Sequence, residues 1–252
     1  MTLENQIVLI TGGSRGIGRA IALRLARERP AHIVIGYCMN HQAARQTVAD
    51  VESLGVSASA ISTDVGNSDL LRELFDRVRQ RWGRLDVFIS NAARTTFRPA
   101  MELNVRNWQR IMDMNARAFL LGAQMAATIM RDNGGGRIIG LSSLGARSYA
   151  PGYAGLGAAK AVMESLTRYL AVELAPWGIN VNVVCGGFID TDSMRLAPQY
   201  KQLTEYITSR TPAQRLGQPE DLAGVVAFLC SPDSDWIRGQ TIIADGGFSL
   251  IM

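Results

Sequence analysis

The sequence Thr11-Gly12-Gly13-Ser14-Arg15-Gly16-Ile17-Gly18 determines the fold that we expect for this chain. It ends a short β-branched run, Ile7 to Thr11, and opens a segment with helical spacing of apolar residues. Glycines in a strand-to-helix turn let the backbone approach a pyrophosphate closely, and the helix N-terminus supplies free N–H groups and the positive end of a dipole. A tight turn without a ligand is the alternative, but the strand before it and the helix after it favour a dinucleotide site.

The rest of the chain alternates in the same way between short apolar runs and longer stretches of helical periodicity. Strands are predicted at Ile7 to Thr11, Ile33 to Gly36, Ala58 to Thr63, Val87 to Ser90, Ile138 to Ser142, Val181 to Cys185 and Thr241 to Ala244. Helices are predicted near residues 17–28, 41–53, 68–82, 107–132, 153–175 and 219–230. Continuous apolar strands indicate a parallel sheet that is buried on both faces. We therefore expect an α/β protein: a single-domain, doubly wound Rossmann fold over residues 1–252, with a seven-stranded parallel sheet and helices on both faces.

Length, composition and charge narrow the classes to which the chain can belong. Its 252 residues, 47% of them hydrophobic and 19% charged, fit one domain with a sizeable core. The net charge of +4 is carried by scattered arginines, since the only lysines are Lys160 and Lys201, so no basic stripe indicates nucleic-acid binding. Three distant cysteines, no signal-peptide pattern and no apolar run of about 20 residues predict a soluble, cytoplasmic protein without membrane insertion. No metal site is predicted.

One late segment, residues 192–215, breaks the strand and helix pattern. It is polar, and its position would let it fold over the carboxyl ends of the strands, where such sheets bind ligands. We expect a substrate-binding lid there. A surface helix pair without a role in binding is the alternative.

Further motifs follow the later strands. Together with the glycine turn they resemble the short-chain dehydrogenase/reductase family, whose TGxxxGxG pattern, D-V pair and N-A-(G/A) stretch match residues 11–18, Asp64-Val65 and Asn91-Ala92-Ala93. The resemblance continues through Asn115, Ser142-Ser143, Lys160, Gly187-Phe188-Ile189-Asp190-Thr191 and Asp245-Gly246-Gly247. It departs from the family at Gly186-Gly187, where Pro-Gly is usual.

This resemblance implies a nicotinamide dinucleotide site. Asp64 and Val65 would contact the adenine, Asn91 would lie along the cofactor, and Ile189 and Thr191 would meet the nicotinamide carboxamide. The full set of expected cofactor-binding residues is Gly12, Ser14, Arg15, Gly16, Ile17, Gly18, Tyr37, Asp64, Val65, Asn91, Ala92, Lys160, Gly187, Ile189 and Thr191.

The end of the second strand favours NADPH over NADH. NADH-specific members of the family carry an acidic residue there, whereas this chain has Gly36-Tyr37-Cys38-Met39. This stretch has no carboxylate that would repel the 2′-phosphate of NADPH. Arg15 in the glycine turn is placed to pair with that phosphate through its planar guanidinium. A solvated turn arginine is the alternative for Arg15, because no second basic residue is close to Met39 in the sequence.

The position of the expected catalytic tyrosine is unusual. Most members of the family carry it four residues before the lysine, but here that position is Leu156, and Tyr153 lies seven residues before Lys160. At about 100° per residue, seven helical steps return to within roughly 20° of the starting direction, so both side chains share a helix face. Compared with a tyrosine at position 156, the Cα atom of Tyr153 lies three residues earlier, which is roughly 4.5 Å further along the helix axis. That suits an enoyl thioester, in which hydride goes to the β-carbon and charge gathers on the more distant thioester oxygen.

This spacing most closely resembles the NADPH-using type III bacterial enoyl-acyl-carrier-protein reductases. The resemblance implies that Tyr153 donates to the enolate oxygen, that Lys160 binds the nicotinamide ribose and favours the phenolate, and that Ser143 orients the thioester carbonyl. Asn115 would hold a water or the helix backbone. Tyr149 is the rival donor.

The implied reaction is the NADPH-dependent reduction of a trans-2-enoyl thioester, carried by acyl carrier protein or CoA, in fatty-acid or related acyl-chain synthesis. The sequence leaves the carrier open. The alternatives are a carbonyl (3-oxoacyl thioester) reductase that uses Tyr153 in an unusual register, and a catalytically silent NADPH-binding scaffold. The family resemblance also implies a homotetramer.

Overall fold

The computed structural model of the protein describes residues 3–94, 96–195 and 200–250. Its seven strands are β1 (Ile7–Thr11), β2 (His32–Tyr37), β3 (Ser57–Ser62), β4 (Val87–Ser90), β5 (Gly136–Ser143), β6 (Ile179–Gly186) and β7 (Thr241–Ala244). Its α-helices are α1 (Gly16–Ala26), α2 (His41–Glu52), α3 (Ser68–Trp82), α4 (Val105–Met112), α5 (Ala118–Asp132), α6 (Ala154–Glu173), α7 (Asp192–Arg195), α8 (Tyr200–Arg210) and α9 (Pro219–Leu229).

The strands form one parallel sheet in the order β3-β2-β1-β4-β5-β6-β7. The chain moves outward from β1 to β3, then crosses back to β4 on the other side of β1. At that reversal the loops after β1 and β4 leave in opposite directions, which opens a crevice at the carboxyl ends of the strands. The doubly wound Rossmann fold with a seven-stranded parallel sheet is therefore confirmed.

The five inner strands, β1, β2, β4, β5 and β6, are largely buried on both faces because their alternate residues belong to different hydrophobic clusters. Leu9 and Val34 pack with residues of α3, α5 and α6 on one face, whereas Val8 and Ile10 pack with residues of α1 and α9 on the other. Burying a side chain of this size contributes about 1.5–3 kcal/mol relative to leaving it in water. The continuous apolar runs in the sequence thus reflect a sheet covered by helices on both sides.

The continuous helix predicted at residues 107–132 is interrupted in the structure. A π-helical turn, Asp113–Arg117, lies between α4 and α5. Within it the Asn115 side-chain amide donates to the Ile111 carbonyl at 2.8 Å, a backbone acceptor that an α-helix pairs with a backbone N–H. Periodicity could not reveal this, since apolar spacing changes little across a single wide turn.

The polar segment that we expected to form a lid contains two helices, α7 and α8. Residues 196–199 of that segment lie outside the described residues. The lid and the single-domain organisation of residues 1–252 stay predictions. In the described part of the chain, no helix is both long enough and apolar enough to cross a membrane.

Candidate functional site

The glycine turn after β1 leaves no room for a side chain at Gly12 or Gly18. Gly12 and Gly16 have φ values of +66° and +54°, in the region that favours glycine. A Cβ on Gly12 would lie 2.8 Å from the Cα of Ala92, and a Cβ on Gly18 would lie 2.6 Å from Nδ2 of Asn91 and collide with the Gly12 carbonyl. The turn is therefore packed directly against the residues that follow β4.

Asn91 and Thr11 join this turn to the end of β4. The Asn91 side-chain amide donates to the carbonyls of Thr11 and Gly12 at 3.0 and 2.9 Å. The Thr11 hydroxyl accepts from the backbone N–H groups of Asn91 and Ala92 and donates to the Ile89 carbonyl. These bonds fix the floor of the crevice between two adjacent strands.

Helix α1 begins at the crevice without a side-chain cap. Its N-cap residue, Arg15, makes no capping hydrogen bond, so the first-turn N–H groups have no side-chain acceptor. Ser14 is buried, and its carbonyl accepts from the Thr47 hydroxyl at 2.9 Å, while Ile17 packs on the core beneath. Free amides, a helix dipole and a side-chain-free turn are the features that a pyrophosphate needs. The turn therefore fits a dinucleotide.

The edge of the crevice beyond β2 carries several polar groups. The Tyr37 hydroxyl lies 2.8 Å from Nδ1 of His41, and Asp64 accepts from the Gly66 N–H, whereas Val65 is buried in the core. Burial and the charge of Asp64 raise the pKa of the Cys38 thiol, and the charge of Arg94 lowers it.

Two cations lie near the crevice, Arg94 by the end of β2 and Arg15 in the glycine turn. Arg94 is close enough to the end of β2 to act on the thiol of Cys38, which sequence distance did not reveal. Arg15 lies 3.6 Å from Asp192 of α7 in an ion pair whose side chains are both well exposed. Exposed pairs of this kind contribute little to stability, so the guanidinium is available to another anion at small cost.

The loop after β6 closes the other side of the crevice. Gly187 donates to the Ala244 carbonyl at 3.1 Å, and Ile189 is buried and pairs with Gly217 in an isolated bridge. Thr191 lies against the glycine turn, because a Cβ on Gly16 would be 3.7 Å from its Cγ2. The structure therefore brings the expected residues after β1, β4 and β6 to one crevice.

Tyr153 is the N-cap residue of α6, which begins at Ala154. We expected Tyr153 to be the first residue of this helix. Burial raises the pKa of its phenol, and Ser143 is close enough for its hydroxyl to oppose that rise. The ring packs on Gly145, where a Cβ would lie 2.6 Å from its Cε1, and on Phe97, with ring centroids 6.2 Å apart. Tyr149, the rival donor, is 91% exposed.

Lys160 lies in the interior beneath Tyr153. Its side chain is buried, and its Nζ donates to the Leu141 carbonyl at 2.6 Å. Burial lowers the pKa of this amine to about 8 and is the main reason that the pKa of the neighbouring Cys185 thiol is raised to about 12. Leu156, at the usual position of the tyrosine, is buried in an apolar cluster with Ile111.

Asn115 projects from the π turn toward the loop after β4. Its amide donates to the carbonyls of Ile111 and Arg94 at 2.8 and 3.1 Å. Its Oδ1 atom is buried and has no hydrogen-bond partner within the protein. A buried carbonyl oxygen without a partner is costly, so this atom fits an acceptor site for a water or a ligand group.

A family model described as "Enoyl-(Acyl carrier protein) reductase" matches residues 12–249, from the glycine turn almost to the end of the chain. The chain belongs to the short-chain dehydrogenase/reductase family. It is an oxidoreductase of that family, as the resemblance in its motifs predicts.

Relatives in this family have several activities. The chain is 46% identical over 250 residues to a 1-cyclohexenylcarbonyl-CoA reductase of Streptomyces collinus, covering 98% of this chain and 88% of that protein. It is 35% identical to a 3-oxoacyl-[acyl-carrier-protein] reductase of Synechocystis, covering 97% of each. Among solved structures, a 7α-hydroxysteroid dehydrogenase complexed with NADH and 7-oxo glycochenodeoxycholic acid superposes with a TM-score of 0.92 at 30% identity, covering 98% of this chain and 95% of that one.

Beside these family motifs lies a polar cluster that the motifs did not predict. Ser142, Arg147 and Glu164 meet under the turn after β5. One signal in the sequence could have indicated it: Glu164 follows Lys160 by four residues, which places two oppositely charged side chains on the same buried helix face.

Proposed function

We propose that this short-chain dehydrogenase/reductase reduces the conjugated double bond of a trans-2-enoyl thioester with NADPH. One observation carries the proposal. Tyr153 lies beside Ser143, whereas the position four residues before Lys160 is filled by buried Leu156, which has no proton to donate. The polar group available to the substrate is therefore shifted away from the place that a carbonyl reductase needs.

The residues of the crevice would hold the cofactor. The glycine turn and the N-terminus of α1 suit the pyrophosphate, and Arg15 and Arg94 suit a 2′-phosphate, which favours NADPH over NADH. Asp64 and Val65 would line the adenine pocket, and Ile189 and Thr191 the nicotinamide pocket. When bound, the cofactor supplies the hydride for the β-carbon.

The protein's own residues then stabilise the charge that develops on the thioester oxygen. Burial raises the pKa of Tyr153, so the phenol keeps its proton at neutral pH and donates a hydrogen bond to that oxygen. Ser143 orients the thioester carbonyl. Lys160, with a pKa of about 8, is mostly charged at pH 7 and binds the nicotinamide ribose. Asn115 offers its unpartnered Oδ1 to a water.

The relative from Streptomyces collinus favours the same chemistry, and the relatives together leave the carrier open. The name of the Streptomyces collinus protein describes a CoA thioester whose ring double bond is conjugated with the carbonyl. The Synechocystis relative supports a second candidate, reduction of a 3-oxoacyl thioester on acyl carrier protein. We favour the enoyl substrate, on CoA or acyl carrier protein, in fatty-acid or related acyl-chain synthesis in the cytoplasm. The segment 192–215 would act as the lid.

A paired assay tests the proposal. NADPH oxidation is followed with crotonyl-CoA and acetoacetyl-CoA, and with the same acyl groups on acyl carrier protein, and each reaction is repeated with NADH. We expect oxidation with the enoyl substrates, little with the keto substrates, and a preference for NADPH. Equal or faster turnover of the keto substrates would establish the carbonyl reductase instead. Tight NADPH binding without turnover of any of these thioesters would support the silent scaffold.

A further inference from the structure

A buried carboxylate lies one helical turn from Lys160. In the part of the chain that the structure describes, the buried lysine and acidic side chains are Lys160, Glu164 and Asp86. Asp86 lies at the opposite end of the sheet, where it accepts from Arg84 and from the first N–H of β1. Glu164 is on α6 beneath the candidate site, and the roles proposed above do not use it.

Both oxygens of the Glu164 carboxylate accept hydrogen bonds from the turn after β5. The Ser142 hydroxyl donates to Oε1 at 2.7 Å, and Nε of Arg147 donates to Oε2 at 2.8 Å. Ser142 comes immediately before the segment 143–146 and Arg147 immediately after it. One side chain of α6 therefore ties both ends of this short segment to the helix.

The segment between these two ties carries the contacts of Tyr153. Gly145 supplies the surface on which its ring packs, and the Ser143 hydroxyl is close enough to its phenol to lower the pKa of that group. The first turn of α6 also touches this segment, because a Cβ on Gly157 would collide with the Gly145 carbonyl. A displacement of the segment would move the Ser143 hydroxyl and the ring contact of Gly145 together.

The buried Glu164 carboxylate has a donor at each oxygen, the Ser142 hydroxyl and the Arg147 guanidinium, and the guanidinium compensates its charge. The Glu164 side chain is 7% exposed, whereas the Arg147 side chain is 45% exposed. Arg147 therefore stays in contact with water when Glu164 is replaced and the ion pair is lost. Removing the negative charge with glutamine therefore breaks the tie to Arg147 without leaving a buried cation. The hydrogen bond from Ser142 can still be accepted by the glutamine oxygen.

We propose that Glu164 is a positioning residue that holds the segment 143–146 so that Ser143 and Gly145 orient the Tyr153 phenol. The inference rests on the proposed role of Tyr153 in the reaction. Glu164 touches neither substrate nor cofactor, and it acts through Ser142 and Arg147.

The test compares Glu164→Gln and Ser142→Ala, each of which breaks one tie, with Glu28→Gln as the matched control. Glu28 forms a similar half-buried ion pair with Arg24 on α1, away from Tyr153. Turnover is measured with whichever acyl thioester the wild-type protein reduces, NADPH affinity by fluorescence, and backbone hydrogen exchange in peptides that cover residues 143–148.

We expect kcat to fall about 10- to 100-fold in both site variants, since small displacements of a reacting group have effects of this size. NADPH affinity should change less than about threefold, and exchange in the 143–148 peptides should be about tenfold faster. The control should match the wild type in all three measurements. Wild-type kcat and exchange in folded Glu164→Gln would overturn the inference, as would losses of kcat and NADPH affinity in equal proportion.

The exchange measurement separates this inference from the proposed function. If the wild type reduces only 3-oxoacyl thioesters, the enoyl proposal fails, while faster exchange and lower kcat with the keto substrate in Glu164→Gln still support positioning. If the wild type reduces enoyl thioesters but exchange is unchanged in Glu164→Gln, the positioning role fails and the proposed function stands.

Discussion

Tyr153 precedes α6, and its phenol lies beside Ser143, while Leu156 fills the place where most short-chain dehydrogenases carry their tyrosine. At the scale of single residues, the tyrosine at position 153 instead of position 156 is the strongest argument for reduction at a carbon–carbon bond. We predict that Tyr153→Phe lowers kcat by about 10²–10³, the usual effect of removing one donor to a developing oxyanion. NADPH affinity should be unchanged.

The matched control for this variant is Tyr149→Phe, because Tyr149 is four residues away and 91% exposed. Its steady-state kinetics should equal those of the wild type. A normal rate in Tyr153→Phe together with a loss in Tyr149→Phe would transfer the donor role to Tyr149.

Lys160 gives a second prediction at this scale, because burial lowers the pKa of its amine to about 8. Below that pH the ammonium is present, and as the pH rises through about 8 it is lost, together with its attraction for the cofactor ribose. We therefore expect NADPH binding, measured by fluorescence titration, to weaken above pH 8. Tyr153→Phe should keep this dependence and Lys160→Met should lose it; the same dependence in Lys160→Met would assign it to another group.

At the scale of elements, the β1–α1 turn depends on the absence of a side chain at Gly18. An added Cβ would collide with the Gly12 carbonyl and Nδ2 of Asn91, so Gly18→Ala must displace the turn. We predict a loss of about 1–3 kcal/mol in the free energy of unfolding, measured by urea denaturation, and markedly weaker NADPH binding.

Gly224 in α9 is the control for this substitution, because it is also helical but has no atom within 4 Å of an added Cβ. Gly224→Ala should leave NADPH binding unchanged and raise the free energy of unfolding by about 0.5–1 kcal/mol, through its higher helix propensity. Equal effects of the two substitutions would contradict the proposed close packing of the turn.

At the scale of the whole molecule, one face of α6 is left in water although it is apolar. Tyr169 and Val172 are 65% and 75% exposed, which fits the homotetramer that the family resemblance implies. We predict that light scattering gives a mass close to four times 27.4 kDa and that Val172→Glu lowers it. Leu54→Glu, at a partly exposed apolar position beyond α2, should not change the mass; a monomeric wild type would refute the tetramer.

The sheet and its helices were predictable because their signals are local. Apolar runs of strand length, helical spacing and glycines at one turn are properties of neighbouring residues, and burial of a parallel sheet on both faces follows from them. The strand bounds accordingly agree with the sequence to within two residues. The seven-residue separation of Tyr153 and Lys160 is equally local, so it also could be found without the fold.

Other features required the tertiary structure because they join residues that are far apart in the chain. The π turn contains the side-chain bond of Asn115 to Ile111, the cation near Cys38 is Arg94, and Glu164 reaches back to Ser142 across 22 positions. Sequence by itself determined the strand pattern, the glycine turn and the seven-residue separation of Tyr153 and Lys160 on which our proposal rests. Only the packing of α6 on the end of β5 decided how that side chain is held, since burial and hydrogen bonding arise when distant segments meet.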